Sequence, residues 1–201
     1  MNSVGYNSTV QTVTLPEPTL PPIIQRMWLD ERKIKRKVRR IAQQIDRDHA
    51  GLNPHLVTVM KGGLFFLTDL ARAMTIPHTL DFLAITSYGP QSQSGEVRIT
   101  KDLDEPIAGR HVIIVEDILD TGLTLAYIYK TLERRKPASL KVCVFLDRPY
   151  RRLIDIPIAY KGFDAPDEFL VGYGLDWRQQ YRSLPYIGII KPEVLRADTQ
   201  G

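Results

Sequence analysis

Residues 112–125 read Val-Ile-Ile-Val-Glu-Asp-Ile-Leu-Asp-Thr-Gly-Leu-Thr-Leu, and this segment constrains the fold more than any other. An uninterrupted β-branched run predicts a strand buried on both faces, which in turn calls for a parallel sheet covered by helices on each side. The run leads directly into two adjacent carboxylates, Glu116 and Asp117. A turn carrying hydroxyls and a glycine follows and opens a helix. In open α/β sheets, ligands bind at this transition from strand end to helix start.

The rest of the chain repeats the alternation. Residues 56–60 predict a strand ending in Lys61-Gly62-Gly63, and residues 64–74 a helix. Residues 80–87 predict the next strand, followed by a polar loop over 88–95. A helix over 123–135 and a strand over 140–146 complete the series. The expected fold class is α/β, a mostly parallel sheet flanked by helices. Residues 156–160, 169–173 and 186–190 are short strand candidates separated by turns, suited to a small β-rich hood built from the C-terminal segment. Residues 1–22 mix Ser, Thr, Asn and Pro and predict a flexible N-terminal tail, leaving 23–201 as a single domain. A chain of 201 residues, 43% hydrophobic, is large enough to hold its core without metal or disulfide staples, and the lone Cys143 forms no internal bridge. With no cationic leader before an apolar run and no apolar stretch near 20 residues, a cytoplasmic protein is expected.

Net charge is +4, which invites a nucleic-acid reading. Between Arg26 and Asp48, however, nine Lys or Arg face four Asp or Glu, so +5 sits there and the remaining chain carries −1. Ile34, Val38, Ile41 and Ile45 recur at helical spacing in that stretch. The cations therefore occupy the solvent side of an amphipathic helix, for which Asp30 is the expected N-cap. A solvated helix face explains them, with an anion- or RNA-facing patch as the alternative. His49, His55, His78 and His111 lack ligand spacing and suit structural or surface positions. Lys61-Gly62-Gly63 is not a nucleotide-binding P-loop, because its lysine precedes the glycines.

At residues 116–124 the chemistry is more specific. Free N–H groups at a helix start, with the Thr121 and Thr124 hydroxyls, make a phosphate cradle, and Gly122 lets backbone approach the anion. Carboxylates beside such a cradle do not bind phosphate; they suit ribose hydroxyls. Together these features point to a ribose 5-phosphate.

The run Glu-Asp-Ile-Leu-Asp-Thr-Gly-Leu-Thr resembles the diphosphoribosyl-binding motif of type I phosphoribosyltransferases, in their hypoxanthine-guanine branch. Met60-Lys61-Gly62-Gly63, Thr86-Ser87-Tyr88-Gly89, Leu146-Asp147-Arg148-Pro149, Gly172-Tyr173-Gly174-Leu175-Asp176 and Tyr181-Arg182-Ser183-Leu184-Pro185-Tyr186 follow the family's order over residues 28–190.

The resemblance implies displacement of pyrophosphate from 5-phosphoribosyl 1-diphosphate by a ring nitrogen of a 6-oxopurine, hypoxanthine or guanine, in purine salvage. Glu116 and Asp117 would hold the ribose, and Asp120, Thr121, Gly122, Leu123 and Thr124 the 5-phosphate. Lys61, Gly62 and Arg182 would contact pyrophosphate, with a cis peptide expected between Met60 and Lys61. Asp120 would move the purine N7 proton. Arg148, Phe169, Leu170 and Asp176 would surround the purine, Ser87 and Tyr88 would belong to a closing loop, and Mg²⁺ would be held by Asp176 with Glu116 and Asp117. A homodimer or homotetramer is implied, without membrane or nucleic-acid partners. Arg148 departs from the pattern, since the family usually carries a lysine there; both are cations that disfavour the 6-amino group of adenine. The alternative is a non-catalytic regulator of the same fold that binds RNA or DNA. Asp120 separates the two, because the resembling pyrimidine-operon regulators carry tyrosine at that position, and adenine or orotate enzymes a small residue.

Overall fold

The structure, a computed structural model, describes residues 20–87 and 97–198. Elements in chain order are β1 (Ile24–Leu29), α1 (Glu31–Asp48), β2 (His55–Met60), α2 (Leu64–Ala73), β3 (Thr79–Ser87), β4 (Val97–Lys101) and β5 (His111–Leu119). They continue with α3 (Leu123–Glu133), β6 (Ser139–Asp147), β7 (Tyr160–Asp164), β8 (Leu170–Val171), β9 (Ile187–Ile190) and α4 (Pro192–Asp198).

Six strands form the main sheet in the order β4-β3-β2-β5-β6-β7, parallel throughout except for the antiparallel edge strand β4. Alternation along β5 sorts the two faces of the core. Ile113 and Val115 pack with Ile34, Val38, Ile41 and Ile45 of α1 and with Phe66, Leu67 and Leu70 of α2. Val112 and Ile114 pack with Leu125, Ala126, Ile128 and Leu132 of α3 on the opposite face. The amphipathic reading of the basic helix therefore holds, and Asp30 caps it by accepting the Lys33 N–H at 2.7 Å.

The chain passes from β2 through α2 to β3 on one side, and from β5 through α3 to β6 on the other. The carboxyl ends of β2 and β5 are thus neighbours from which the chain departs in opposite directions. Such a switch point leaves a crevice for ligands. Over it lies a three-stranded antiparallel sheet in the order β1-β9-β8.

The hood differs from expectation in its membership. Residues 156–160 do not form one of its strands; Ile156 packs into the core beside α3, and the strand begins only at Tyr160, joining the main sheet parallel to β6. Pro157 has no N–H to donate to a ladder, so pairing starts beyond it, with the Ala159 N–H bonding Val142 O at 2.9 Å. The hood's third strand is instead β1, from the other end of the domain. Its inward positions are broken by register shifts at Ile24/Arg26 and Met27/Leu29, so residues 24–29 lack the strict alternation that announces a strand. The edge strand β4 and the short α4 were also absent from the sequence expectations. No helix among the described residues is long and apolar enough to cross a membrane. Most of the expected tail and all of the 88–95 loop, Tyr88 included, lie outside the described residues.

Candidate active site

Two adjoining cavities occupy the crevice, and Asp120 and Ile118 line both. The smaller, about 130 Å³, is bounded by Glu116, Leu119, Thr121, Gly122, Thr124, Leu125 and Ile128. The larger, about 270 Å³, opens under the hood between Asp117, Arg148, Phe169, Leu170, Leu175, Asp176 and Arg182.

The smaller cavity sits at the start of α3. Gly122 is the N-cap at φ +84° and offers no capping side chain; the Leu123 N–H meets the Thr121 hydroxyl at 3.4 Å, and the next N–H groups of the first turn remain available to a ligand. A Cβ at Gly122 would lie 2.7 Å from the Ile154 carbonyl oxygen, which fixes glycine there by space as well as by φ. The Thr121 carbonyl receives Leu153 N–H at 2.9 Å, fastening the turn to the segment after β6.

β5 runs to Leu119, so Glu116 and Asp117 lie within the strand rather than beyond it, and successive residues face opposite sides. Glu116 turns towards α3 and the smaller cavity. Asp117 turns towards the larger one, its Oδ1 accepting the Ile118 N–H at 2.8 Å. Burial raises the proton affinity of both carboxyls. Glu116 is pushed well above the usual range, by burial first and by the Asp117 charge second. Asp117 is pushed up to about 6, against the opposing pull of the Ile118 N–H and the Arg182 cation.

That shift carries a sign for stability. In the unfolded chain Asp117 ionises near pH 4, in the folded protein near 6. With respect to this carboxyl, stability is therefore greatest at low pH, falls as pH rises from about 4 to 6, and above that range is lower by up to about 3 kcal/mol in all. Asp117→Asn should therefore raise the melting temperature of the ligand-free protein at pH 7.5, with the gain shrinking towards pH 4. A difference independent of pH would refute it.

Under the hood, Arg148 is 7% exposed and held on two sides. Its Nη2 donates to the Glu168 carbonyl, and its Nη1 lies 3.5 Å from Asp120 Oδ2. Arg151 Nη1 lies 3.7 Å from the same oxygen while its other nitrogen pairs with Asp167. Phe169 is exposed to the cavity, and Trp177 meets its ring edge-on, with centroids 5.1 Å apart. Arg182 donates to the Gly174 carbonyl at 2.7 Å and pairs with Asp176 at 2.7 Å.

The peptide between Met60 and Lys61 is cis, as expected. The loop it opens is wedged between β5 and the hood. A Cβ on Gly62 would overlap the Asp117 carboxylate, and one on Gly174, at φ +102°, would overlap the Gly62 carbonyl.

Sequence reasoning did not single out Arg151, Ile118, Leu175 or Gln179. Arg151 lies only three residues after Arg148 in a run of cations and aromatics, and nothing in the spacing distinguishes it from its neighbour Arg152, which instead pairs with Asp147. Ser87 is the last residue of β3, while its expected partner Tyr88 lies outside the described residues.

Among the described residues, four buried side-chain atoms around these cavities find no hydrogen-bond partner: Glu116 Oε1, Asp120 Oδ1, Arg148 Nε and Arg182 Nε. Buried polar atoms are ordinarily paired, so their convergence on one crevice marks a ligand site presenting both acceptors and donors. A doubly wound sheet with a glycine-opened helix start at its switch point and a hooded cavity beside it places the chain among the α/β proteins that bind a small ligand there.

Comparison with known proteins narrows the class. Residues 25–178 match the phosphoribosyl transferase domain. A hypoxanthine-guanine phosphoribosyltransferase of Mycobacterium avium is 44% identical over 95% of this chain and 98% of its own. A crystal structure of such an enzyme from Bacillus anthracis superposes with a TM-score of 0.80 at 41% identity, covering 84% of this chain and 99% of that one. A hypoxanthine phosphoribosyltransferase from Trypanosoma cruzi, in complex with the product IMP, superposes with a TM-score of 0.83 at 36% identity, covering 88% and 100%. The chain belongs to the phosphoribosyltransferase family and is a glycosyltransferase.

Proposed function

We propose that the protein transfers the 5-phosphoribosyl group of 5-phosphoribosyl 1-diphosphate to N9 of a 6-oxopurine, hypoxanthine or guanine, releasing pyrophosphate and forming the purine nucleoside monophosphate in salvage. The observation that carries this reading is the set of four unpartnered buried atoms, two acceptors and two donors, spanning the phosphate cradle and the hooded cavity.

The first-turn N–H groups of α3, with Thr121, Leu123 and Thr124, bind the 5-phosphate. Glu116 and Asp117 accept from ribose hydroxyls, and Asp117, ionised above about pH 6, opposes the positive charge that develops on the sugar. Asp120 Oδ1 takes the N7 proton as N9 bonds to C1. Phe169 stacks on the base, Leu170 backbone reads its edge, and Arg148 donates to O6. A cation at that position penalises the amino group of adenine. Lys61, the Gly62 backbone and Arg182 receive the departing pyrophosphate, and the loop carrying Ser87 and Tyr88 excludes water.

Asp117 and Asp176 face one cavity, and no group of three or more His, Cys, Asp or Glu among the described residues forms a metal cage. This donor set suits Mg²⁺, which takes one or two carboxylates and completes its shell with substrate oxygens and water. Magnesium, when bound, supplies charge compensation for the leaving group. Asp176 and Asp117 are the proposed holders; Glu116, also expected there, lines the other cavity.

None of the residues lining the two cavities lies on α1, which favours a small-molecule partner over a nucleic acid. Cytoplasmic location and a homodimer or homotetramer complete the reading. The test is pyrophosphate release from 5-phosphoribosyl 1-diphosphate with a panel of bases, with and without Mg²⁺. Turnover with hypoxanthine or guanine at least roughly 100-fold above adenine, and only with metal, is expected. Adenine used as readily as hypoxanthine would overturn the base assignment, and specific RNA binding without turnover would restore the regulator.

A further inference from the structure

The turn between Asp176 and Arg182 is built at some expense to the backbone. Arg178, Gln179 and Tyr181, none of them glycine, have φ of 52°, 64° and 70°. Non-glycine residues rarely enter that region, and a cluster of them persists only where the surroundings hold it. Here the Gln179 N–H donates to Asp176 Oδ2 at 2.8 Å, and the side chain is aimed back across the site. Its Oε1 accepts from Lys61 Nζ at 3.3 Å and from Arg182 Nη2 at 3.2 Å. One neutral oxygen thus bridges two cations that come from opposite sides of the crevice, Lys61 from the loop after β2 and Arg182 from the hood.

We infer that Gln179 is a displaceable placeholder in the pyrophosphate subsite, its carboxamide oxygen standing where a phosphoryl oxygen of pyrophosphate binds. This inference rests on Lys61 and Arg182 being the pyrophosphate cations. The carboxamide offers the same acceptor geometry as a phosphoryl oxygen without its charge. Until substrate arrives it fills the anion's place between the two cations, then yields to the anion, whose full negative charge attracts both cations more strongly than a neutral dipole does. A carboxylate in its place would form ion pairs with both cations and resist displacement. Gln179 is exposed, so exchanging its side chain removes no core packing.

The test is calorimetric titration of inorganic pyrophosphate into the Mg²⁺-containing protein, with steady-state kinetics alongside. Gln179→Glu should raise the pyrophosphate Kd and the KM for 5-phosphoribosyl 1-diphosphate roughly tenfold, more at low salt, and leave the purine KM within about twofold. Gln179→Asn is too short to bridge the cations yet suits a positive φ, and should tighten pyrophosphate by roughly threefold. Lys61→Ala and Arg182→Ala are measured in parallel. If they leave the Kd unchanged, the assignment of the subsite itself fails. If they weaken it while both Gln179 variants match the wild type, or shift it in the same direction, the placeholder role alone fails. Melting temperatures of all four confirm that folded proteins are compared.

Discussion

An Asp120→Asn variant should turn over roughly 10² to 10³ times more slowly than the wild type, with the KM for 5-phosphoribosyl 1-diphosphate changed by less than about threefold. The asymmetry follows from the two oxygens of Asp120. Oδ2 faces two guanidinium groups, Arg148 at 3.5 Å and Arg151 at 3.7 Å, while Oδ1 is buried without a partner. The arginines orient the carboxylate through Oδ2, and the free Oδ1 is left to accept the purine proton. Asparagine keeps the shape and can still accept from the arginines, but cannot take up a proton. Binding of the donor through the α3 cradle should survive. Losses of similar size in kcat and in donor affinity would instead assign Asp120 to positioning of the donor.

Gly174→Ala should be more damaging than its distance from the reacting atoms suggests. The residue sits at φ +102°, and an added methyl would overlap the Gly62 carbonyl oxygen. The obstacle is backbone, so no side-chain rotation relieves it. Either the hood lifts or the loop carrying Lys61 shifts, and Gly62 is already confined by the Asp117 carboxylate behind it. Strained φ and steric overlap together should cost roughly 2 to 4 kcal/mol of stability and lower kcat/KM by at least about 10²-fold. Thermal unfolding and steady-state kinetics check both. Ala at Gly109, where a Cβ meets nothing within 4 Å and φ is +72°, controls for strain alone. If the two alanine variants behave alike, the close approach to Gly62 is not what matters.

Where local pattern carried the information, the sequence was read well. The strand at β5, the helix opened by Gly122 and the basic α1 with its Asp30 cap each announce themselves through periodicity or an end signal within a few residues. Elements held mainly by distant partners did not. β1 is stabilised by pairing with β9, on the far side of the chain, and its irregular register hides its inward face. β7 begins late because Pro157 interrupts the donor pattern, and its place at the edge of the main sheet is set by β6. Among candidate site residues, Glu116, Asp117, Asp120, Thr121, Gly122 and Thr124, which line the two cavities, were legible because strand, turn and helix follow one another locally. Arg151 and Gln179 were not, since each gains its meaning from a partner reached through space.

Sequence alone determined the α/β class with its mostly parallel sheet, the strand–turn–helix of the central motif and the confinement of excess charge to one helix, because periodicity, capping and turn chemistry are short-range properties. Only the tertiary structure decided that Glu116 and Asp117 serve different cavities, since that depends on β5 continuing to Leu119 and sending alternate side chains to opposite faces. It also decided that Lys61, Gln179 and Arg182 meet across the crevice. Contacts between residues more than a hundred positions apart follow from strand order and from the hood folding over the switch point, and no local spacing records them.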